Sequence, residues 1–116
     1  MADQVEIQLP LRTVNERTQL LGTAYFRTRS TGAASTPTTV HYKVSNLTTQ
    51  ETVQDWTTIS AAANVSLTIT AAMNKIRGGD NVFERIEVLV AADKGLDTEA
   101  IGRAVYRIKN VYGREN

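Results

Sequence analysis

Apolar and polar residues alternate with a period of two along much of this chain. The alternation is clearest in Val5–Leu11, Leu20–Phe26, Val40–Val44, Val65–Ile69 and Ile86–Ala92. Because successive side chains of a strand point to opposite faces, each stretch predicts a β-strand with one buried face. Pro10 interrupts the first stretch. It has no backbone N–H to donate, which predicts an edge strand or a break at that point.

The last apolar segment, residues 96–112, fits two kinds of element. As a strand, it places Ala104, Tyr106 and Ile108 on one face. As a helix, it forms an apolar stripe at spacings of three and four that begins at Leu96 and ends at Tyr112. Its β-branched residues favour the strand, but the residues alone leave both interpretations open.

The number of predicted strands and the composition together indicate the fold class. Thr, Val and Ile supply 34 of the 116 residues, and these side chains suit a pleated sheet. Six or seven short strands separated by turn signals predict an all-β antiparallel sandwich. The inward faces of these strands give the predicted core: Leu20, Ala24, Phe26, Val40, Tyr42, Val44, Trp56, Val65, Leu67, Ile69, Ile86, Val88, Val90, Ala104, Tyr106 and Ile108.

Charge and reactive residues argue against several classes of function. The chain has 13 basic and 12 acidic residues, no cysteine and one histidine. This near balance gives no global signal for nucleic acid, and no apolar run is long enough to span a membrane. A lone histidine within a predicted strand offers neither a metal pair nor a catalytic triad. We therefore expect a protein that is not an enzyme and needs no metal or cofactor.

The order of the strands resembles that of immunoglobulin-like and fibronectin-type sandwiches. Val40–Val44 is similar to their strand C, Val65–Ile69 to strand E, and Glu84–Asp93 to strand F. The resemblance makes the last segment strand G, which favours the strand over the helix. Because there is no cysteine pair, an antibody-type domain is not expected.

A narrower resemblance is to small virion proteins of tailed bacteriophages. The shared motifs are "YKV", "T-x-x-DWT", "V-x-L-T-I", "N-x-F-E" and "Y-x-I-K-N", found here at residues 42–44, 52–57, 65–69, 81–84 and 106–110. The resemblance implies a head decoration or cement protein, made in the host cytoplasm and carried in many copies on the capsid surface. Its implied partner is the major capsid protein. A neck or tail protein and a carbohydrate-binding adhesion module remain the alternatives.

In such a sandwich, strands C, F and G share one sheet. Their outward residues form a predicted basic face, which is a candidate for docking to an acidic partner. The alternative is an ordinary solvated sheet surface. The residues of this face are His41, Lys43, Arg85, Glu87, Arg103, Arg107 and Lys109.

The chain divides into residues 1–17, a sandwich of residues 18–112 and a tail of residues 113–116. Residues 1–17 lie outside the matched motifs and predict either an edge strand or an extended arm that pairs with a neighbour. The arm residues are Val5, Ile7, Leu9 and Leu11.

Three further side chains carry smaller predictions. Tyr25, with the arginines that follow it, is a candidate binding strip on the other sheet. Trp56 is predicted to anchor the core, and Asp55 to cap the backbone of a turn.

Overall fold

The computed structural model describes residues 2–111, and within them the fold is all-β with two sheets arranged as a sandwich, as the alternation predicts. The described residues contain eight strands, one more than the upper estimate from the sequence, and a single 3-10 turn at Ala72–Asn74. The strands are Gln4–Gln8 (β1), Thr13–Asn15 (β2), Leu20–Arg27 (β3), Val40–Asn46 (β4), Glu51–Ile59 (β5), Asn64–Ile69 (β6), Phe83–Ala92 (β7) and Ala100–Lys109 (β8).

One sheet has the order β1-β3-β6 and the other has the order β2-β8-β7-β4-β5. The last segment is therefore a strand, and β8 pairs antiparallel with β7 along its whole length, from Ala100 opposite Ala92 to Lys109 opposite Phe83. The neighbouring positions of β8, β7 and β4 are those of strands G, F and C in an immunoglobulin-like sandwich.

The extra strand arises because the first segment divides at Pro10. The chain pairs with β3 before this proline and with β8 after it, so it crosses from one sheet to the other. Two glycines allow this close path. A Cβ on Gly22 would lie 2.7 Å from a methyl carbon of Leu9, and a Cβ on Gly102 would lie 2.7 Å from a methyl carbon of Val5.

The core lies between the two sheets, and its largest buried side chains include Tyr106, Phe26 and Leu67. All but three of the predicted core residues are buried. Tyr42 and Ala104 are half-buried at the rim of the core. Period-two alternation therefore assigned most inward faces correctly.

The prediction that Trp56 anchors the core is wrong. Pairing of β5 with β4 places Ile59 opposite Val40 and Thr57 opposite Tyr42, which gives the inward positions to those two residues. Trp56 consequently takes the outer face, where it is half-buried and the ammonium of Lys94 lies 5.1 Å from its ring centre. Asp55 lies in β5 rather than in a turn, and its Oδ1 accepts a hydrogen bond of 2.8 Å from the backbone N–H of Trp56.

A buried carboxylate organises one end of the sandwich. Glu84 Oε1 accepts hydrogen bonds from Asn46 Nδ2 and Arg77 N, both 2.8 Å long. Its Oε2 accepts from Gly78 N at 2.6 Å and from Asn81 Nδ2 at 2.9 Å. Burial by itself would raise the pKa of Glu84, but these four donors outweigh it and hold the pKa below its ordinary value. The charged carboxylate thus fixes the loop before β7.

A second buried contact ties β8 to the segment that follows β6. The hydroxyl of Tyr106 donates to Asn74 Oδ1, and Asn74 Nδ2 donates to the carbonyl of Thr18 at 2.7 Å. Burial raises the pKa of the Tyr106 hydroxyl above its ordinary value. The hydroxyl therefore stays protonated and remains a donor.

Candidate docking face

The outer side of the five-stranded sheet carries the residues predicted for the basic face. Their cross-strand register puts them on one side of β4, β7 and β8. The side chains of Arg85, Arg103, Arg107 and Lys109 are exposed, whereas His41, Lys43 and Glu87 are half-buried.

Two arginines face each other directly on this surface, near the Lys109 end of β8. Arg85 on β7 is the cross-strand partner of Arg107 on β8, and like charges directly opposite each other destabilise a sheet. The guanidinium of Arg107 lies 4.5 Å from the ring centre of Phe83, and its Nη2 donates to Thr13 Oγ1 at 3.3 Å. These contacts orient Arg107 without neutralising its charge.

Glu87, the only acidic residue predicted for the basic face, already forms an ion pair within this chain. Glu87 Oε2 pairs with Arg103 Nε at 2.5 Å, and the Glu87 side chain is 17% exposed. Within residues 2–111, no ion pair reaches the other cations of this face, which are Lys43, Arg85, Arg107 and Lys109. Four uncompensated cations therefore remain on one sheet surface.

His41 contributes less to this surface than its position in the sequence suggests. It is half-buried between β5 and β7, opposite Thr58 and Ala91. Its Nδ1 is buried and has no hydrogen-bond partner. We therefore place His41 at the inner margin of the basic face rather than among its exposed groups.

The outer face of the three-stranded sheet has a different chemistry. Arg27 lies near Glu6, with 4.0 Å between Nε and Oε1, and its guanidinium is 5.8 Å from the ring centre of Tyr25. Arg29 follows the end of β3 and is exposed. The sheet otherwise presents uncharged side chains such as Thr23, so positive charge is concentrated on the opposite side of the molecule.

Three of the four residues proposed as an arm lie against this chain's own core. Val5 and Ile7 belong to β1, which pairs with β3, and both are half-buried. Leu9 is also half-buried, and Leu11 is 54% exposed in the crossing between β1 and β2. Whether this segment also pairs with a neighbouring molecule stays a prediction.

The structure also reveals a groove that the sequence did not indicate. It has a volume of about 360 Å³ and lies between β8 and the segment that runs from β1 to β2. Its lining consists of Ile7, Leu9, Arg12, Arg103, Ala104 and Val105. Only the crossing at Pro10 brings these two distant segments together, so no local motif could have shown the groove.

Residues 2–111 contain no cluster of three His, Asp or Glu side chains suited to a metal ion. They also contain no helix long and apolar enough to cross a membrane. Tyr112, named above as the end of the helical stripe, and the tail of residues 113–116 lie outside the described residues.

No protein-family model, curated protein or solved structure matches this chain. The class that the described residues define is an all-β sandwich with a basic face on its five-stranded sheet. The resemblance to phage virion proteins stays a prediction from the motifs of the sequence.

Proposed function

We propose that this chain is a structural protein without catalytic activity that docks through its basic face onto an acidic protein surface. The virion motifs suggest the setting: a tailed-phage head, with the major capsid protein as the partner. In that setting the protein would decorate the assembled shell. Binding only to the assembled lattice would then stabilise the shell by mass action.

The facing pair Arg85 and Arg107 is the observation that carries the proposal. Both side chains are exposed and neither has an anionic partner within residues 2–111. Their juxtaposition works against folding. Carboxylates of a partner would relieve that repulsion, so the same arrangement favours association.

Two properties of the surface support docking over simple solvation. Its four uncompensated cations stand on a chain whose net charge is only +1. The guanidinium of Arg107 is also held in place by Phe83 and Thr13, so it loses less freedom when it pairs. A positive electrostatic field concentrated on one face speeds the encounter with an acidic surface and fixes the orientation in which the protein docks.

A charge-reversal variant tests the face. Arg85→Glu, Arg107→Glu and Lys109→Glu are combined, and binding to purified shells of the phage that encodes this protein is measured by co-sedimentation. Arg103 is left unchanged because its loss would release Glu87. Loss of three exposed charge contacts should cost about 3 kcal/mol, which is roughly a hundredfold in apparent affinity.

The matched control reverses three cations away from this sheet face: Arg27→Glu, Arg29→Glu and Lys75→Glu. It has the same net charge, so it should bind like the unaltered protein if the effect is local. Unchanged occupancy of the first variant, or equal loss in both, contradicts docking through this face. Subunit counting in particle images distinguishes a lattice of copies on the head from a single ring at the neck or tail.

A further inference from the structure

The edge of β8 is only partly covered. β2 pairs with Arg107, Ile108 and Lys109 and with no earlier residue of β8. Just before this pairing, Arg107 N donates to the carbonyl of Arg12 at 2.9 Å. Because strand backbone groups alternate in direction, the N–H and C=O groups of Arg103 and Val105 point to the same side as those of Arg107. Within residues 2–111, no strand pairs with them on that side.

The open edge forms one wall of the groove of about 360 Å³. The residues before Pro10 pair with β3 and not with β8. β1 therefore lies across the groove and does not extend the pairing of β2 with β8. Ile7, Leu9 and Ala104 supply apolar surface. A cleft that combines apolar side chains with unpaired backbone donors and acceptors is suited to an extended peptide, which can contact the side chains and pair with the backbone groups.

The charge of the groove selects the kind of peptide. Arg12 and Arg103 both line it. Arg103 is paired with Glu87, whereas the guanidinium of Arg12 has no ion pair within the described residues. The hydrogen bond from Arg107 N anchors the backbone of Arg12, so this residue brings an unpaired cation to the lining of the groove.

We propose that this groove binds an extended acidic peptide segment of a partner protein. The segment adds to β8 as a strand at Arg103 and Val105, and one of its carboxylates pairs with Arg12. This inference rests on the proposed function in one respect, which is that the partner protein is acidic. It places one partner segment at the seam between the sheets, beside the basic face.

The test uses the full chain labelled with ¹⁵N and a blocked six-residue peptide of alternating valine and threonine with one central glutamate. We expect saturable shifts of the Arg103 and Val105 amide signals. A peptide with glutamine in place of glutamate should bind roughly tenfold more weakly, because a charge-assisted hydrogen bond is lost.

Arg12→Gln should weaken the glutamate peptide roughly tenfold and leave the glutamine peptide unchanged. Arg29→Gln removes the same charge away from the groove and serves as the control. N-methylation of the peptide at the amides that face β8 should abolish binding. Methylation at the intervening amides should preserve it.

If a millimolar excess of the glutamate peptide does not shift the amide signals of Arg103 and Val105, the proposed peptide-binding groove is wrong. It is also wrong if Arg12→Gln weakens the binding of both peptides equally. Either result leaves docking through the basic face standing. Conversely, if the charge-reversed face variant still binds shells while the peptide shows the Arg12 dependence, the face is wrong and the groove is retained.

Discussion

Replacing Glu84 with glutamine tests whether the buried carboxylate holds the end of the sandwich. The change keeps the shape of the side chain and removes its charge. Each carboxylate oxygen accepts two donors: Asn46 and Arg77 on Oε1, and Gly78 and Asn81 on Oε2. Whichever way the glutamine amide is turned, its NH₂ group faces two donors and cannot accept a hydrogen bond from either.

The magnitude follows from this geometry. Two hydrogen bonds to a charged group are lost, each worth roughly 1.5–3 kcal/mol. The variant no longer buries a charge, which offsets part of that loss. We expect a net decrease of about 3 kcal/mol in the free energy of unfolding, which for a chain of this size lowers the Tm by about 12 °C.

The pH dependence gives an independent signature. The pKa of Glu84 in the folded protein lies below its ordinary value of 4.5. The stabilisation that the ionised carboxylate provides is therefore complete above that pH. It is lost as the pH falls towards and through the lower pKa of the folded protein. The difference in stability between the unaltered protein and Glu84→Gln should accordingly shrink below pH 4.5, since glutamine does not titrate.

Urea unfolding followed by Trp56 fluorescence at several pH values measures both effects. Glu87→Gln is the matched control, because it removes a carboxylate whose partner Arg103 is exposed; we expect a loss of no more than about 1 kcal/mol. If Glu84→Gln unfolds at the same urea concentration as the control, or if its deficit stays constant down to pH 3, the account of Glu84 is refuted.

Two further changes test the packing of β8. Tyr106→Phe removes the donor to Asn74 Oδ1 and leaves a buried acceptor unpaired, so we expect thermal unfolding to show a loss of about 1–2 kcal/mol; unchanged stability contradicts a structural role for the hydroxyl. Gly102→Ala places a methyl group 2.7 Å from a methyl carbon of Val5, so β1 should loosen at a cost of about 1–3 kcal/mol and residues 2–12 should become sensitive to protease. Gly79→Ala meets nothing within 4 Å and is the control; equal proteolysis of both variants contradicts the close approach.

Local alternation was sufficient to predict most strands and their faces. A period of two depends only on neighbouring residues, so Phe26, Leu67 and Ile86 could be assigned to the core without knowledge of pairing. The same rule predicted which cations point outward from β7 and β8. It failed at Trp56, because the inward positions of the strand are set by register with β4.

The candidate sites needed more than alternation. Which strands share a sheet came from a resemblance, and the facing of Arg85 and Arg107 came from the observed register. The pairing of Arg103 with Glu87 likewise reduces the charge that the sequence assigned to the basic face. A residue's neighbours across a sheet lie far away in the chain, so spacing along the sequence cannot show them.

By itself, the sequence determined most of the strands, an apolar core and outward cations, because these depend on local periodicity and composition. Only the tertiary structure decided that the chain changes sheets at Pro10, that Glu84 is enclosed by four donors, and that part of the β8 edge is open. Each of these features depends on contacts between distant segments. Such contacts exist only once the two sheets have closed on each other.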